Sequence, residues 1–221
     1  MIAIQKQIDN SILESSKRKK KRDYLGASLI GDPCERKVWY NYNIPKDIED
    51  ARVLRIFKLG QVIEDEIVVP MLKDAGFTVY EKDENGEQFG FKKDKFAGHI
   101  DGVILGVPGV TKIPHLLEIK SANNKRFNDF KKNGYRSSDT YFAQIQIYMH
   151  YLKLEAALVC VYNKDTSELY FERIKYDETY ALIIADKAFR ILEAKTEPER
   201  AYKRSTDFRC RFCQYKEECW K

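Results

Sequence analysis

The sequence predicts an α/β fold, with helices flanking a mixed central sheet and a small lobe assembled from both chain ends. Three features predict it. Apolar residues recur at three- and four-residue steps through 49–69. Short β-like runs fill 77–121 and return at 156–176 after two helical segments. Cysteine stands near the start of the chain and clusters at its end.

A chain of 221 residues can bury a real core within one domain. Residues 1–22 read as a basic, polar helical arm and 23–221 as a single domain, with its core at about 50–195 and its lobe at about 28–45 and 196–221. No apolar stretch approaches the roughly 20 residues that span a bilayer. Residues 1–10 do not carry the charged start and apolar middle of a secretory signal. A cytoplasmic protein with no membrane partner is expected.

The elements follow in order. A turn at Asp32-Pro33 leads into the aromatic run Val38-Trp39-Tyr40-Asn41-Tyr42. The helix over 49–69 sets Phe57, Gly60, Glu64, Ile67, Val68 and Met71 on one face, and Pro70 should kink or end it. Strands at 77–82 and 87–92 flank Asn85-Gly86, a hairpin signal. Strands at 96–105 and 115–121 are separated by a loop with Gly106, Pro108 and Gly109. Helices follow at 123–133 and 140–154, then strands at 156–162 and 168–176. Asp177 is placed to cap a last helix that runs to about 194.

The net charge of +5 is weak evidence about partners. Six consecutive basic residues, 17–22, exceed the whole surplus; of 39 basic residues they leave 33 against 34 acidic ones. The run reads equally as a solvated arm or as a phosphate contact.

Two segments carry the chemistry: Gly98-His99-Ile100-Asp101-Gly102 and Leu116-Leu117-Glu118-Ile119-Lys120. Residues two apart on a strand share a face, so Glu118 and Lys120 point one way and Ile119 the other. Charges on a strand this apolar are costly unless they pair or hold a metal. Asp101, on a neighbouring strand, adds a second carboxylate. With the Ile119 carbonyl these are hard oxygen donors suited to Mg²⁺ or Mn²⁺, and Lys120 stands beside them to orient a nucleophile. A cross-strand salt bridge explains the same residues without chemistry.

An Asp followed by an E-x-K triplet on adjacent strands resembles the PD-(D/E)XK nuclease superfamily. The proline before the Asp is replaced here by Ile100. The resemblance implies a restriction-endonuclease-like core with catalytic Glu64, Asp101, Glu118 and Lys120, and a Mg²⁺ or Mn²⁺ held by Glu64, Asp101, Glu118 and Ile119. Glu64 stands where RecB-like members place a His or Glu on a helix before the sheet. Gln144 and Tyr148, four apart on one helix face, match the RecB-like Q-x-x-x-Y motif that positions DNA. Lys125, Arg126, Lys131, Lys132 and Arg136 form a basic stretch beside the site, read as phosphate contacts or a solvated helix face. His99, two residues before Asp101, shares its strand face in this reading, either at the scissile phosphate or as a rim histidine.

Cys210-x-x-Cys213, followed by Cys219, is a compact thiolate cluster, and Cys34 is its most economical fourth member. Cys160 lies in the apolar run Leu158-Val159-Cys160-Val161-Tyr162 and reads as a small buried hydrophobe. Four thiolates suit Zn²⁺ or an iron–sulfur cluster, and spacing does not decide between them. One distant cysteine with a C-terminal triad resembles the iron–sulfur nucleases of the RecB-like group, which include CRISPR-adaptation and phage exonucleases; this implies a 4Fe-4S cofactor stapling both chain ends into one lobe.

The resemblance implies a Mg²⁺- or Mn²⁺-dependent deoxyribonuclease, an exonuclease on single-stranded DNA or DNA ends in recombination, repair or CRISPR adaptation. The chain lacks a G-x-x-x-x-G-K-[ST] loop, so a helicase, recombination or CRISPR-adaptation partner would supply unwinding. An oligomer is compatible with this reading. Two other readings remain at this level: a DNA-end-binding subunit of a larger complex, and a zinc-stabilised structural protein with accidental E-x-K spacing.

Overall fold

The computed structural model describes residues 2–18 and 22–221, so 19–21 of the basic run lie outside the described residues. Helix α1 (Ile2–Lys17) forms the arm and is tied to α3 (Ala51–Val62) by an Asp9–Arg55 ion pair. Between them come the short strand β1 (Leu25–Gly26) and α2 (Glu35–Asn43).

Helix α3 begins at a true cap, the Asp50 carboxylate accepting the Arg52 N–H. It does not run on as an ordinary α-helix. Residues Ile63–Val68 form a π-helical turn, and α4 (Val69–Asp74) continues beyond it, so the chain stays helical through Pro70 rather than ending there. A π turn widens the helix and shifts the phase of the side chains after it. The single apolar face expected from 49–69 is therefore broken. Phe57 and Met71 are 60% and 48% exposed, whereas Ile63, Val68, Val69 and Leu72 are buried.

The remaining strands are β2 (Thr78–Tyr80), β3 (Gly90–Lys93), β4 (Phe96–His99), β5 (Gly102–Leu105), β6 (His115–Ala122), β7 (Ala156–Asn163) and β8 (Leu169–Lys175). Five build a mixed sheet in the order β2-β5-β6-β7-β8, antiparallel except for the parallel pair β6–β7; the other three build a small sheet, β1-β4-β3. The Asn85-Gly86 turn forms, with Asp83 accepting the N–H groups of Asn85 and Glu87. The strands beside it do not pair as a hairpin beyond a Lys82–Gln88 bridge: β2 pairs with β5, and β3 with β4.

Helices α5 (Asn124–Asn133), α6 (Asp139–Leu152) and α7 (Glu178–Glu193) complete the core. Asn123 caps α5, and Asp177 caps α7 as its sequence position predicted. One face of the large sheet packs with Phe127, Phe130, Ile145 and Met149 of α5 and α6. The other packs through Leu117, Ile119, Leu158 and Cys160 against Ile63, Val68 and Leu72. Helices α8 (Phe208–Arg211) and α9 (Lys216–Cys219) end the chain beside α2. Among the described residues no helix is long and apolar enough to cross a membrane.

Candidate active site

The central strand β6 has unequal partners. It pairs with β7 from Leu116 to Ala122, but with β5 only from His115 to Leu117. From Glu118 onward one side of the strand is open. Asp101, the residue just before β5, fills the gap: its Oδ2 accepts the Ile119 N–H at 2.7 Å.

Residues 96–105 were expected to form one strand, and here the structure corrects the sequence reading. The chain leaves the small sheet at His99 and enters the large one at Gly102; in between, the Ile100 N–H donates to the Phe89 carbonyl at 2.9 Å. Asp101 therefore sits at a switch between sheets, and His99 does not share a strand face with it. His99 is exposed on β4 in the small sheet.

The carboxylates influence one another strongly. Glu118 is 1% exposed and forms an ion pair with Lys120 on the same face of β6, yet neither carboxylate oxygen has a hydrogen-bond donor in good geometry. Burial raises the Glu118 carboxyl to about 7; Lys120 opposes the rise and Asp101 adds to it. Glu64, in the π turn, is pushed to about 8 by burial and then by Asp101, Asp65 and Glu118. Asp101 is likewise raised by burial, against the pull of Lys120 and the Ile119 N–H, and it shares a hydrogen bond with Glu64. Lys120 keeps its proton well above the usual range because Glu118, Tyr135 and Asp101 outweigh its burial. Glu64, Asp101, Glu118 and Lys120 thus converge, from a helix, a sheet switch and a strand.

The donor set fits a hard divalent cation: clustered carboxylates and, at Glu118, orphaned buried oxygens. Among the described residues no three His, Cys, Asp or Glu side chains are spaced to close on an ion as they stand, and Lys120 engages one Glu118 oxygen. Ile119 points to the opposite core, so only its backbone could contribute.

A pH dependence follows. In the folded, metal-free protein Glu118 and Glu64 bind protons more tightly than the ordinary 4.5 of an unfolded chain. Their contribution favours folding below that value and is lost as pH rises through about 7 and 8. Thermal unfolding in EDTA should show a falling midpoint across this window, and Mn²⁺ should restore it at the alkaline end. A midpoint indifferent to Mn²⁺ at every pH would count against a cation site.

Gln144 and Tyr148 lie on one face of α6, both buried, with Gln144 Nε2 donating to Tyr148 Oη at 3.2 Å. Burial, then the Glu118 charge, raises the Tyr148 phenol. Its ring rests on Gly98, where a Cβ would meet Tyr148 Cε1 at 2.5 Å. Gly98→Ala should displace the ring and lower the thermal unfolding midpoint, with secondary structure retained by circular dichroism; an unchanged midpoint would show that the added methyl is accommodated without moving Tyr148.

The basic stretch is not uniformly available. Arg126 pairs with Asp129 and lies 4.3 Å over Phe130; Lys131 reaches Glu168 at 3.4 Å; Arg136 lies 4.5 Å over Phe142. Lys125 and Lys132 are exposed. Sequence reading did not single out Tyr135 and Tyr141. The Tyr141 ring centroid is 5.3 Å from Lys120 Nζ, and the aromatic residues interleaved with bases at 126–141 were the signal that could have found them.

Cys34, Cys210, Cys213 and Cys219 line one cavity of about 270 Å³ between α2 and the C-terminal helices, with Arg36, Lys37 and Arg209. All four are free thiols, and Arg36 Nη1 approaches Cys219 Sγ at 3.9 Å. Burial raises the Cys210 thiol, with Asp207 and the neighbouring Cys213 and Cys219 adding to the effect. Cys160 is buried in β7, away from this cavity, its thiol raised to about 12 by desolvation.

No family model and no curated protein matches the sequence. Solved structures match the fold. The alkaline exonuclease LHK-Exo of Laribacter hongkongensis aligns with a TM-score of 0.57 at 16% identity, over 83% of this chain and 90% of that one. LHK-Exo in complex with dAMP gives 0.55 at 17% identity, over 77% and 87%. A protein named SSO0001 gives 0.52 at 16% identity, over 98% and 96%. At such identities the likeness establishes a shared fold.

Proposed function

We propose that this chain is a DNA exonuclease dependent on Mg²⁺ or Mn²⁺. The observation that carries the reading is the convergence of Glu64, Asp101 and Glu118, with Lys120 alongside, where the central strand loses one partner. Two supports stand beside it. The fold is shared with an alkaline exonuclease, and that enzyme has been seen with dAMP, a deoxynucleoside monophosphate of the kind released when a DNA end is trimmed.

In this reading Glu64, Asp101, Glu118 and the Ile119 carbonyl would hold the cation, which would polarise the phosphodiester and acidify a water toward neutrality. Lys120 directs its ammonium at the phosphate oxygens and the attacking water. The water oxygen bonds to phosphorus and gives up a proton to solvent, the P–O bond to the leaving nucleotide breaks, and the leaving oxygen takes up a proton from solvent. Gln144 and Tyr148 position the strand. Exposed Lys125 and Lys132 contact backbone phosphates, and Arg126 and Lys131 would exchange their ion pairs to join them.

The four cysteines are proposed to hold a 4Fe-4S cluster, supported by their common cavity and its basic rim. The proposed partners are DNA ends and single strands, with a helicase, recombination or CRISPR-adaptation protein supplying unwinding.

End-labelled single- and double-stranded DNA, incubated with Mg²⁺ or Mn²⁺, tests the central proposal. Progressive shortening from one end, with closed circles left intact, is expected. DNA that is bound but uncut across divalent metals would overturn it in favour of an end-binding subunit.

A further inference from the structure

Tyr135 is fully buried, and its hydroxyl has no hydrogen-bond partner. Such a group is a standing penalty in a protein interior, where buried polar atoms are nearly always satisfied. Its position is nonetheless firmly set. The Tyr135 N–H donates to Glu172 Oε2 at 2.7 Å, directly after Gly134, whose φ of 75° a side chain would resist. The Tyr135 ring stacks at 5.4 Å on Phe130 and at 6.0 Å on Tyr141. Tyr141 in turn presents its ring 5.3 Å from Lys120 Nζ. Burial and then the Glu118 charge hold the Tyr135 phenol in its protonated form.

The Lys120 ammonium has three donors and, at present, one carboxylate partner, Glu118. A cation bound by Glu118 would compete for that partner. The ammonium would then need a neutral acceptor and an electron-rich surface; the Tyr141 ring supplies the second at 5.3 Å, and Tyr135, stacked on Tyr141, is the adjoining buried phenol whose hydroxyl lacks a partner.

We propose that Tyr135 is a positioning residue for Lys120: when a divalent cation engages Glu118, the Tyr135 hydroxyl accepts an ammonium N–H while the Tyr141 ring faces the remaining charge. This rests on the exonuclease reading for its purpose and for the kinetic arm of its test, but not for the thermal arm. The unsatisfied hydroxyl of the metal-free protein is thus an acceptor held ready for the metal-bound one.

The test compares thermal unfolding of parent and Tyr135→Phe, each in EDTA and in Mn²⁺, alongside kcat and KM on single-stranded DNA. In EDTA the variant should unfold at or above the parental midpoint, by up to about 2–4 °C, because an unpaired group is gone. In Mn²⁺ that advantage should vanish or reverse, because the parent has gained a hydrogen bond the variant cannot make. The kcat should fall about tenfold with KM unchanged. An identical midpoint difference with and without Mn²⁺, or a parental kcat in the variant, overturns the proposal. A parent that is stabilised by Mn²⁺ yet cuts no DNA sinks the exonuclease reading, while the midpoint comparison still decides Tyr135.

Discussion

Asp101→Asn is expected to lower metal-dependent DNA cleavage at least about a thousandfold, about 4 kcal/mol of transition-state stabilisation, without unfolding the protein. The substitution keeps an oxygen that can accept the Ile119 N–H, so the local link between the sheet switch and β6 survives. What it removes is one negative charge from a group of buried carboxyls, a charge that raises both Glu64 and Glu118. The metal-free variant should therefore unfold at the parental temperature or higher at pH 8, while its stabilisation by Mn²⁺ is lost. Opposite movements of activity and stability distinguish a ligand from a structural residue. Lys120→Ala is the harsher test, since it leaves the 1%-exposed Glu118 without its counter-charge. An Asp101→Asn protein that trims DNA at the parental rate would refute the site.

Under the proposed 4Fe-4S assignment, Cys34→Ala is expected to have the second large effect: loss of an absorption near about 400 nm that the parent should show, and a stability loss of several kcal/mol. Cys34 precedes α2, whereas the other three cysteines lie beyond residue 209, so a shared cluster closes almost the whole chain into one loop. Beside it, the lobe has weaker ties, among them the Tyr40–Tyr215 stack at 5.2 Å, the Arg36 Nε donation to the Pro198 carbonyl, the Lys46 Nζ donation to the Gln214 carbonyl and the Lys46–Glu218 ion pair at 2.8 Å. Cys160→Ala should retain the full absorption, because that thiol lies in the sheet core. Metal analysis completes the measurement. Zinc in place of iron would assign the site to a tetrahedral structural ion, and absorption undiminished in Cys34→Ala would exclude Cys34 as a ligand.

Much of the architecture was legible in local pattern. Helices α5, α6 and α7 and strands β6, β7 and β8 fall within a few residues of their expected limits, because each carries its own periodicity, and Asn123 and Asp177 cap two of the helices. Alternation along Leu116-Leu117-Glu118-Ile119-Lys120 put the acid and the amine on one face before any coordinates. Local pattern was silent on where 96–105 breaks. Residues 96–105 read as one β-like run, and only pairing with two different sheets separates β4 from β5. It was equally silent on the π turn, whose extra residue changes which side of the helix is covered.

By itself the sequence determined the residue chemistry: carboxylates and an amine in E-x-K spacing, a glutamine and a tyrosine one helical turn apart, and thiols at both ends of the chain. These follow from short-range periodicity, which the backbone enforces wherever a segment lies. Only the tertiary structure decided that Asp101 caps the open side of β6, that Glu64 joins it from a π turn, that His99 stands apart, and that a buried tyrosine hydroxyl near Lys120 has no partner. Those outcomes depend on which strands pair and where the pairing stops, a contest between distant segments for the same backbone hydrogen bonds that no local stretch of sequence records.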